Sequence, residues 1–135
     1  MDKSAWIGKT RKVKKPWGYE RQWSAMHTIK GKELFINAGC RTSLKYHTSK
    51  DEVLFLVSGT AHVEYADEEW HRYVDVDIKE SKMHKGQYLA VQSHCAYRIT
   101  AETDCVFLEI SNSLSGTTVR LEDDYGRKTK PKKNK

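Results

Sequence analysis

The stretch from Gly39 to Gly59, GCRTSLKYHTSKDEVLFLVSG, is the part of the sequence from which the fold is best predicted. Lys45 and His47 are two residues apart, so in a β-strand their side chains leave the same face. After a short polar turn, Glu52 opens the apolar run VLFLV at 53–57, which predicts a strand buried on both faces. A histidine and a carboxylate that point into one interior can form a metal or acid–base site. Spacing by itself favours a simpler interpretation, a half-buried hairpin with a hydrogen-bonded histidine.

The composition indicates one globular domain. The chain has 135 residues, of which 38% are hydrophobic and 31% are charged. No apolar run approaches the roughly 18 residues of a membrane span. The N-terminus has no hydrophobic segment of the signal-peptide type, so we expect a cytoplasmic protein. The three cysteines, Cys40, Cys95 and Cys105, have no CxxC spacing and are expected to be free thiols.

The net charge of +6 is concentrated at the C-terminal end. Residues 127–135, RKTKPKKNK, contain six Lys and Arg residues and no acid, which leaves the rest of the chain balanced. This composition predicts a disordered tail. Nucleic-acid binding is the weaker interpretation, because the tail has no aromatic residue to stack on bases. The sequence therefore predicts an N-terminal arm at 1–14, one folded domain at 15–126 and a basic tail at 127–135.

Short strands separated by turn residues predict an all-β fold, and no window shows a helical period over ten residues. The clearest amphipathic alternation lies at 72–79. Residues 26–30 and 32–37, divided by Gly31, are expected to form a hairpin. The other strands are expected at 19–24, 60–65, 86–91, 96–101, 105–110 and 117–121. This arrangement is typical of a β-sandwich or a closed barrel.

Two glycine-framed patterns resemble the motifs of the cupin superfamily. Residues 39–59 resemble the first cupin motif, whose family form has His-x-His followed by Glu and Gly; here the order is Gly39, Lys45, His47, Glu52, Gly59, and residues 86–98 resemble the second motif. The resemblance implies a double-stranded β-helix, or jelly-roll, barrel in which the two motifs supply four ligands to one divalent metal. Cupins frequently pair through their sheets, so a homodimer is also implied.

Three further stretches resemble the type II mannose-6-phosphate isomerase group. They are KPWGYE at 15–20, VSGTA at 57–61 and VRLEDDYGR at 119–127. The resemblance implies an isomerase of mannose 6-phosphate or a similar aldose or ketose phosphate. Its chemistry is proton transfer between C1 and C2 through an enediol. In the last stretch we expect Asp123, Asp124, Tyr125 and Arg127 to close the barrel.

The metal positions that this resemblance implies fall on Lys45, His47, Glu52 and Tyr97. In the isomerase group the first position is commonly glutamine and the last is histidine. Protonated lysine is a poor ligand, and tyrosine binds divalent metals less readily than imidazole. His47 and Glu52, with His94 as a further candidate, are therefore expected to hold zinc, manganese, iron or nickel weakly or not at all.

The same four residues, Lys45, His47, Glu52 and Tyr97, are the candidate catalytic groups. Lys45 has two interpretations: an ion pair with Glu52, or a lysine of lowered pKa that acts as a base or binds an anion.

Lys45, Arg98 and Tyr88 are the candidate substrate-binding residues. Arg98 is able to grip a phosphate bidentately, although strand parity favours an outward position. Arg41 and Lys50, near the expected barrel mouth, have the same potential.

Two other functions remain open at this point. The first is a sugar- or anion-binding cupin that has lost its catalytic metal. The second is a metal-independent isomerase or epimerase of nucleotide-linked sugars, in which His47 and Tyr97 perform the acid–base chemistry unaided.

Overall fold

The structure is a computed structural model, and it describes residues 3–26, 28–70, 76–112 and 116–129. Within these ranges the regular secondary structure consists of eleven β-strands without a helix, which confirms the predicted all-β class. No helix there is long and apolar enough to cross a membrane. The three cysteines are free thiols, as expected.

The strands follow one another along the whole described chain. They are β1 (Arg11–Lys15), β2 (Gly18–Gln22), β3 (Ile29–Ile36), β4 (Leu44–His47), β5 (Glu52–Ser58), β6 (Thr60–Tyr65), β7 (Lys79–His84), β8 (Tyr88–Val91), β9 (Tyr97–Ala101), β10 (Cys105–Asn112) and β11 (Thr118–Glu122).

The strands form two antiparallel sheets. The first has the order β1-β2-β3-β10-β5-β8, and the second has the order β11-β4-β9-β6-β7. Side chains from the facing sides of both sheets make the main core, among them Ile36, Leu54 and Phe107 from the first sheet and Val63 and Ile99 from the second. Burial of each such side chain contributes roughly 1.5–3 kcal/mol. Because side chains alternate along a strand, the same inner faces also carry the polar residues of the site.

The predicted hairpin within 26–37 is instead one continuous strand, β3, with Gly31 inside it. The ring of Trp23 lies over this glycine: a Cβ at position 31 would come 1.9 Å from the ring. Gly31 is therefore needed for a close side-chain approach and does not mark a turn.

Two other strands differ from the expectation. Of the strand predicted at 72–79, residues 71–75 lie outside the described residues, 76–78 are not in a strand, and β7 begins at Lys79. β1 lies in what was predicted to be an irregular arm, and it pairs with β2 along its whole length. Its sequence, RKVKK, has only one apolar residue, so backbone pairing forms this strand without an alternation that the sequence would reveal.

β5 was predicted to be buried on both faces, and this was wrong. Leu54 and Leu56 are fully buried, whereas Val53 and Phe55 are 42% and 41% exposed. Within the described residues the outer face of this sheet is uncovered, so its apolar side chains face outward.

Candidate active site

A cavity of about 150 Å³ lies between the two sheets and carries a marked excess of positive charge. Its charged lining residues are Lys15, Lys32, Lys45, Lys50, Arg120 and Arg127, against the two carboxylates of Glu20 and Glu109. His47, Thr118 and Tyr97 also line it. The cavity is therefore suited to an anionic ligand.

Lys45 and Tyr97 are directly opposite each other where β4 pairs with β9. The Lys45 Nζ lies 4.5 Å from the centroid of the Tyr97 ring, in cation–π contact. Enclosure of the ammonium group lowers the pKa of Lys45 to about 8, although the charge of Glu52 opposes the fall. Burial, together with the charge of Glu52, raises the pKa of Tyr97, which keeps its phenol protonated. The pair thus offers an ammonium group that titrates close to neutral pH.

Glu52 is 3% exposed and faces His47 and Lys50. Its Oε1 lies 3.3 Å from His47 Nε2, and its Oε2 lies 3.2 Å from Lys50 Nζ. Among the described residues neither oxygen has a hydrogen bond of good geometry, so electrostatic attraction holds the carboxylate in place. Burial would raise the pKa of Glu52, but the contact with His47 and the charge of Lys50 outweigh it and lower the pKa. Glu52 therefore stays ionised.

His47 is held between Glu52 and Thr118, and its Nδ1 lies 3.0 Å from Thr118 Oγ1. Burial lowers its pKa even though the contact with Glu52 favours the charged form, so the imidazole is neutral at pH 7. An ionised carboxylate only accepts hydrogen bonds, so the proton belongs on the Nε2 that faces Glu52. Nδ1 then accepts a hydrogen bond from the Thr118 hydroxyl.

The predicted ion pair between Lys45 and Glu52 is replaced in the structure by the pair between Lys50 and Glu52. Lys50 follows the turn after β4, and its Nζ also lies 3.3 Å from Glu109 Oε2. This second contact makes Lys50 a bridge between two carboxylates. Lys45 is thereby left without a carboxylate in ion-pair contact among the described residues.

Glu109, which the sequence analysis did not identify, is the second carboxylate of this cluster. It is 4% exposed and lines the cavity. Burial and the charge of Glu52 raise the pKa of Glu109, although Lys50 opposes them. Lys50 thus lies between two carboxyl groups, of which Glu52 has a lowered pKa and Glu109 a raised pKa. The signal was present in the sequence, because Glu109 has the parity of the buried residues Cys105 and Phe107 on β10.

Three predicted site residues are not brought to the cavity. Arg98, 1% exposed, donates from Nε to the Thr42 carbonyl at 2.9 Å and from Nη1 to Glu122 Oε1 at 3.1 Å. Tyr88 is 67% exposed, on the outer face of the first sheet. The His94 ring stacks on Tyr46 at 5.6 Å, on the side of the second sheet away from the cavity.

The segment 123–127, which was expected to close the barrel, connects the chain after β11 to Arg41, just before β4. Tyr125 donates its hydroxyl to the Arg41 carbonyl at 2.9 Å, and Asp124 accepts from Arg41 Nη2 at 2.9 Å. Arg127 Nη2 lies 2.8 Å from Asp123 Oδ1. Arg127 lines the cavity, so the first residue of the predicted tail is part of the site wall.

The residues at the implied metal positions do not fit a divalent metal ion. Within the described chain no three His, Cys, Asp or Glu side chains come together as a ligand group. His47 and Glu52 face each other, and the other two positions hold the ammonium of Lys45 and the protonated phenol of Tyr97. A tight zinc site normally takes at least three protein ligands. No chemical step is therefore assigned to a metal.

Comparison with solved structures identifies the architecture. The capsular polysaccharide assembling protein CapF from Staphylococcus aureus superposes with a TM-score of 0.70 at 17% identity, over 86% of this chain and 32% of that chain. An oxalate decarboxylase variant from Bacillus subtilis gives a TM-score of 0.68 at 19% identity, over 83% of this chain and 30% of that chain. KdgF from Halomonas sp. gives a TM-score of 0.64 at 14% identity, over 84% of this chain and 96% of that chain.

The chain thus spans about a third of the length of the CapF and oxalate decarboxylase chains. No protein-family model and no curated protein sequence matches it. At these identities the similarity shows the fold alone, and it does not show the mannose-6-phosphate isomerase group that the sequence motifs resemble. The two antiparallel sheets and these neighbours together show that the chain has the cupin jelly-roll fold.

Proposed function

We propose that this cupin domain is a sugar-phosphate isomerase that interconverts an aldose phosphate and a ketose phosphate. The observation that carries the proposal is the enclosed ammonium of Lys45, which faces a cationic cavity together with the carboxylate of Glu109. Isomerisation requires a base for a carbon-bound proton and a positive group at the carbonyl oxygen. Both are present without a metal.

In the first half of the reaction Glu109 is the base. Its carboxylate takes the proton from C2 of the aldose, and the C–H electron pair becomes the C1=C2 double bond. The π pair of the C1 carbonyl moves onto O1, where Lys45 donates a proton. The product of this half-reaction is the neutral enediol, with Glu109 protonated and Lys45 as the free amine.

In the second half the Lys45 amine takes the proton from O2, and the C2 carbonyl forms. The electron pair of the double bond takes the proton from Glu109 at C1, which gives the ketose and restores both residues. A group that both gives and takes a proton works best when its pKa is close to the working pH. The lowered pKa of Lys45, about 8, allows it to donate a proton in the first half-reaction and to accept one in the second.

Four other residues surround the reacting pair. The Tyr97 ring fixes the Lys45 ammonium at 4.5 Å from its centroid. Glu52 holds Lys50, and Lys50 in turn holds Glu109 at 3.3 Å. His47 stays neutral, and its Nε2 lies 3.3 Å from Glu52 Oε1, which helps to fix the carboxylate that holds Lys50.

The test is an isomerase assay of the purified full chain on mannose 6-phosphate and other aldose phosphates, before and after treatment with a chelator. We expect turnover that survives chelation, with solvent deuterium incorporated at the exchanged carbon. Lys45→Met should lower kcat by roughly 10²–10⁴-fold. Removal of an enclosed charge should also leave the thermal midpoint unchanged or higher, which separates lost chemistry from lost folding.

Lys82→Met is the matched control. Lys82 lies on β7, and its side chain is 55% exposed and pairs with Glu102 outside the cavity. This variant should keep wild-type activity. Lack of turnover on every sugar phosphate, or full activity in Lys45→Met, would refute the proposed function.

An anion-binding cupin without catalysis is the second candidate. It is favoured by one observation, namely that the implied metal positions hold only two conventional ligands, His47 and Glu52, which face each other. The two functions differ in solvent exchange. A binding module retains a sugar phosphate in the cavity but incorporates no deuterium at C1 or C2.

A further inference from the structure

Among the residues that the structure describes, Arg120 has no carboxylate partner, unlike most other cations of the cavity. Four of the six are neutralised by ion pairs: Lys15 and Lys32 with Glu20 at 3.8 and 3.4 Å, Lys50 with Glu52 and Glu109, and Arg127 with Asp123. Among the described residues, Arg120 and Lys45 line the cavity without such a pair. The uncompensated charge of the cavity is therefore located on these two residues.

The guanidinium of Arg120 is also incompletely hydrogen-bonded. Its Nε is buried, and no described residue accepts a hydrogen bond from it. Buried donors in folded proteins nearly always have a partner, and an exception needs an explanation such as a ligand. An arginine whose buried Nε–H lacks an acceptor is able to donate this hydrogen bond to a bound oxyanion.

The strand pairing places this charge close to the proposed reacting group. Arg120 is directly opposite Lys45 where β11 pairs with β4, and Lys45 is in turn opposite Tyr97. Like charges at opposite positions of two strands repel. An anion bound beside Arg120 removes this repulsion, so the unliganded arrangement favours anion uptake.

We infer that Arg120 binds the phosphate group of the substrate in this cavity. Arg120 and Lys45 are both half-buried and lie at facing positions of neighbouring strands in the cavity lining, so a phosphate on Arg120 lies beside the Lys45 ammonium. The planar fork of Arg120 matches two phosphate oxygens, which a lysine cannot do. The inference rests on the proposed function only in identifying the ligand as a sugar phosphate.

The test uses inorganic phosphate and the full chain, titrated calorimetrically at constant ionic strength set with sodium chloride. We expect saturable binding to the wild type that is at least tenfold weaker in Arg120→Met, with Arg120→Lys in between. Arg21→Met is the control, because Arg21 lies on the outer face of the first sheet and pairs with Glu33 at 3.3 Å. Equal affinities of wild type and Arg120→Met would overturn the inference.

A second measurement avoids dependence on the folding of the variant. The Nε–H resonance of Arg120 in the wild-type protein should shift with phosphate and saturate at the calorimetric affinity. An unmoved resonance would overturn the inference. Phosphate binding requires no turnover, so the two proposals can fail separately. Binding through Arg120 without isomerisation supports this inference and refutes the proposed function. Isomerisation with phosphate binding that is independent of Arg120 supports the proposed function and refutes this inference.

Discussion

Glu52 and Glu109 show how single residues of the same type acquire different roles from their surroundings. Both contact Lys50, but Glu52 also has the contact with His47 Nε2, whereas the charge of Glu52 repels that of Glu109. The contact with His47 and the charge of Lys50 lower the pKa of Glu52, whereas burial and the charge of Glu52 raise the pKa of Glu109. Glu52, the more obvious carboxylate in the sequence, is therefore a fixed charge, and Glu109 is the group able to exchange a proton.

This difference predicts a bell-shaped pH dependence of kcat/KM. Glu109 must be ionised, so the rate falls as the pH falls through its raised pKa, which lies above the ordinary value of 4.5. Lys45 must be protonated, so the rate falls again as the pH rises through about 8. In Glu109→Gln we expect roughly 10²–10⁴-fold lower activity and a residual rate without the acid limb. An unchanged acid limb at wild-type rate in this variant would show that another group is the base.

At the scale of the strand, the sequence predicted those strands in which apolar and polar residues alternate. β6 has the predicted parity, with Ala61 and Val63 buried and His62 and Glu64 on the other face. β1 and β7 were not found, because their sequences, RKVKK and KESKMH, are almost entirely polar and their backbone pairing leaves no pattern in the side chains. Parity succeeds only where one face of a strand is buried.

Strand parity also explains which site residues were predicted from the sequence. Lys45, His47 and Tyr97 share the cavity because strand parity and the pairing of β4 with β9 bring them together, as the sequence motifs suggested. Glu109 was missed although it has the parity of the buried residues Cys105 and Phe107 on β10. Arg120 was missed because a charged residue at an inward position resembles a surface residue until the register of its strand is known. The register depends on long-range pairing, which one sequence does not reveal.

Arg98 gives a prediction at the same scale, since it ties β9 to the segment before β4 and to β11. Arg98→Met leaves the buried Thr42 carbonyl without its Nε donor and removes the contacts to Glu122. We expect the free energy of unfolding, measured with denaturant, to fall by about 1–3 kcal/mol. Arg21→Met, on the solvent-facing side of β2, should change it by less than about 0.5 kcal/mol. If Arg98→Met lost phosphate binding at unchanged stability, Arg98 would instead be a substrate-binding residue.

At the scale of the whole molecule, the outer face of the first sheet is the largest departure from the sequence analysis. Phe55 lies opposite both Tyr88 and Leu108, and Val53 lies opposite Ile110, so the exposed apolar side chains of three strands are contiguous. Contiguous exposed apolar surface of this kind usually marks an interaction site. Its centre carries no charge, so two copies related by a two-fold axis are able to meet there without burying an unpaired ion.

We therefore expect a homodimer through this face, in agreement with the pairing that the resemblance to cupins implies. Phe55→Glu places a carboxylate at the centre of the patch, and two copies would then bring like charges together in an apolar interface, at a cost of several kcal/mol. Sedimentation velocity should show a dimer for the wild type and a monomer for Phe55→Glu. Ser81→Glu, on an exposed position of β7 in the other sheet, should remain dimeric. A wild type that is monomeric at all concentrations would contradict this arrangement, and a dimer that survives Phe55→Glu would place the interface on another surface.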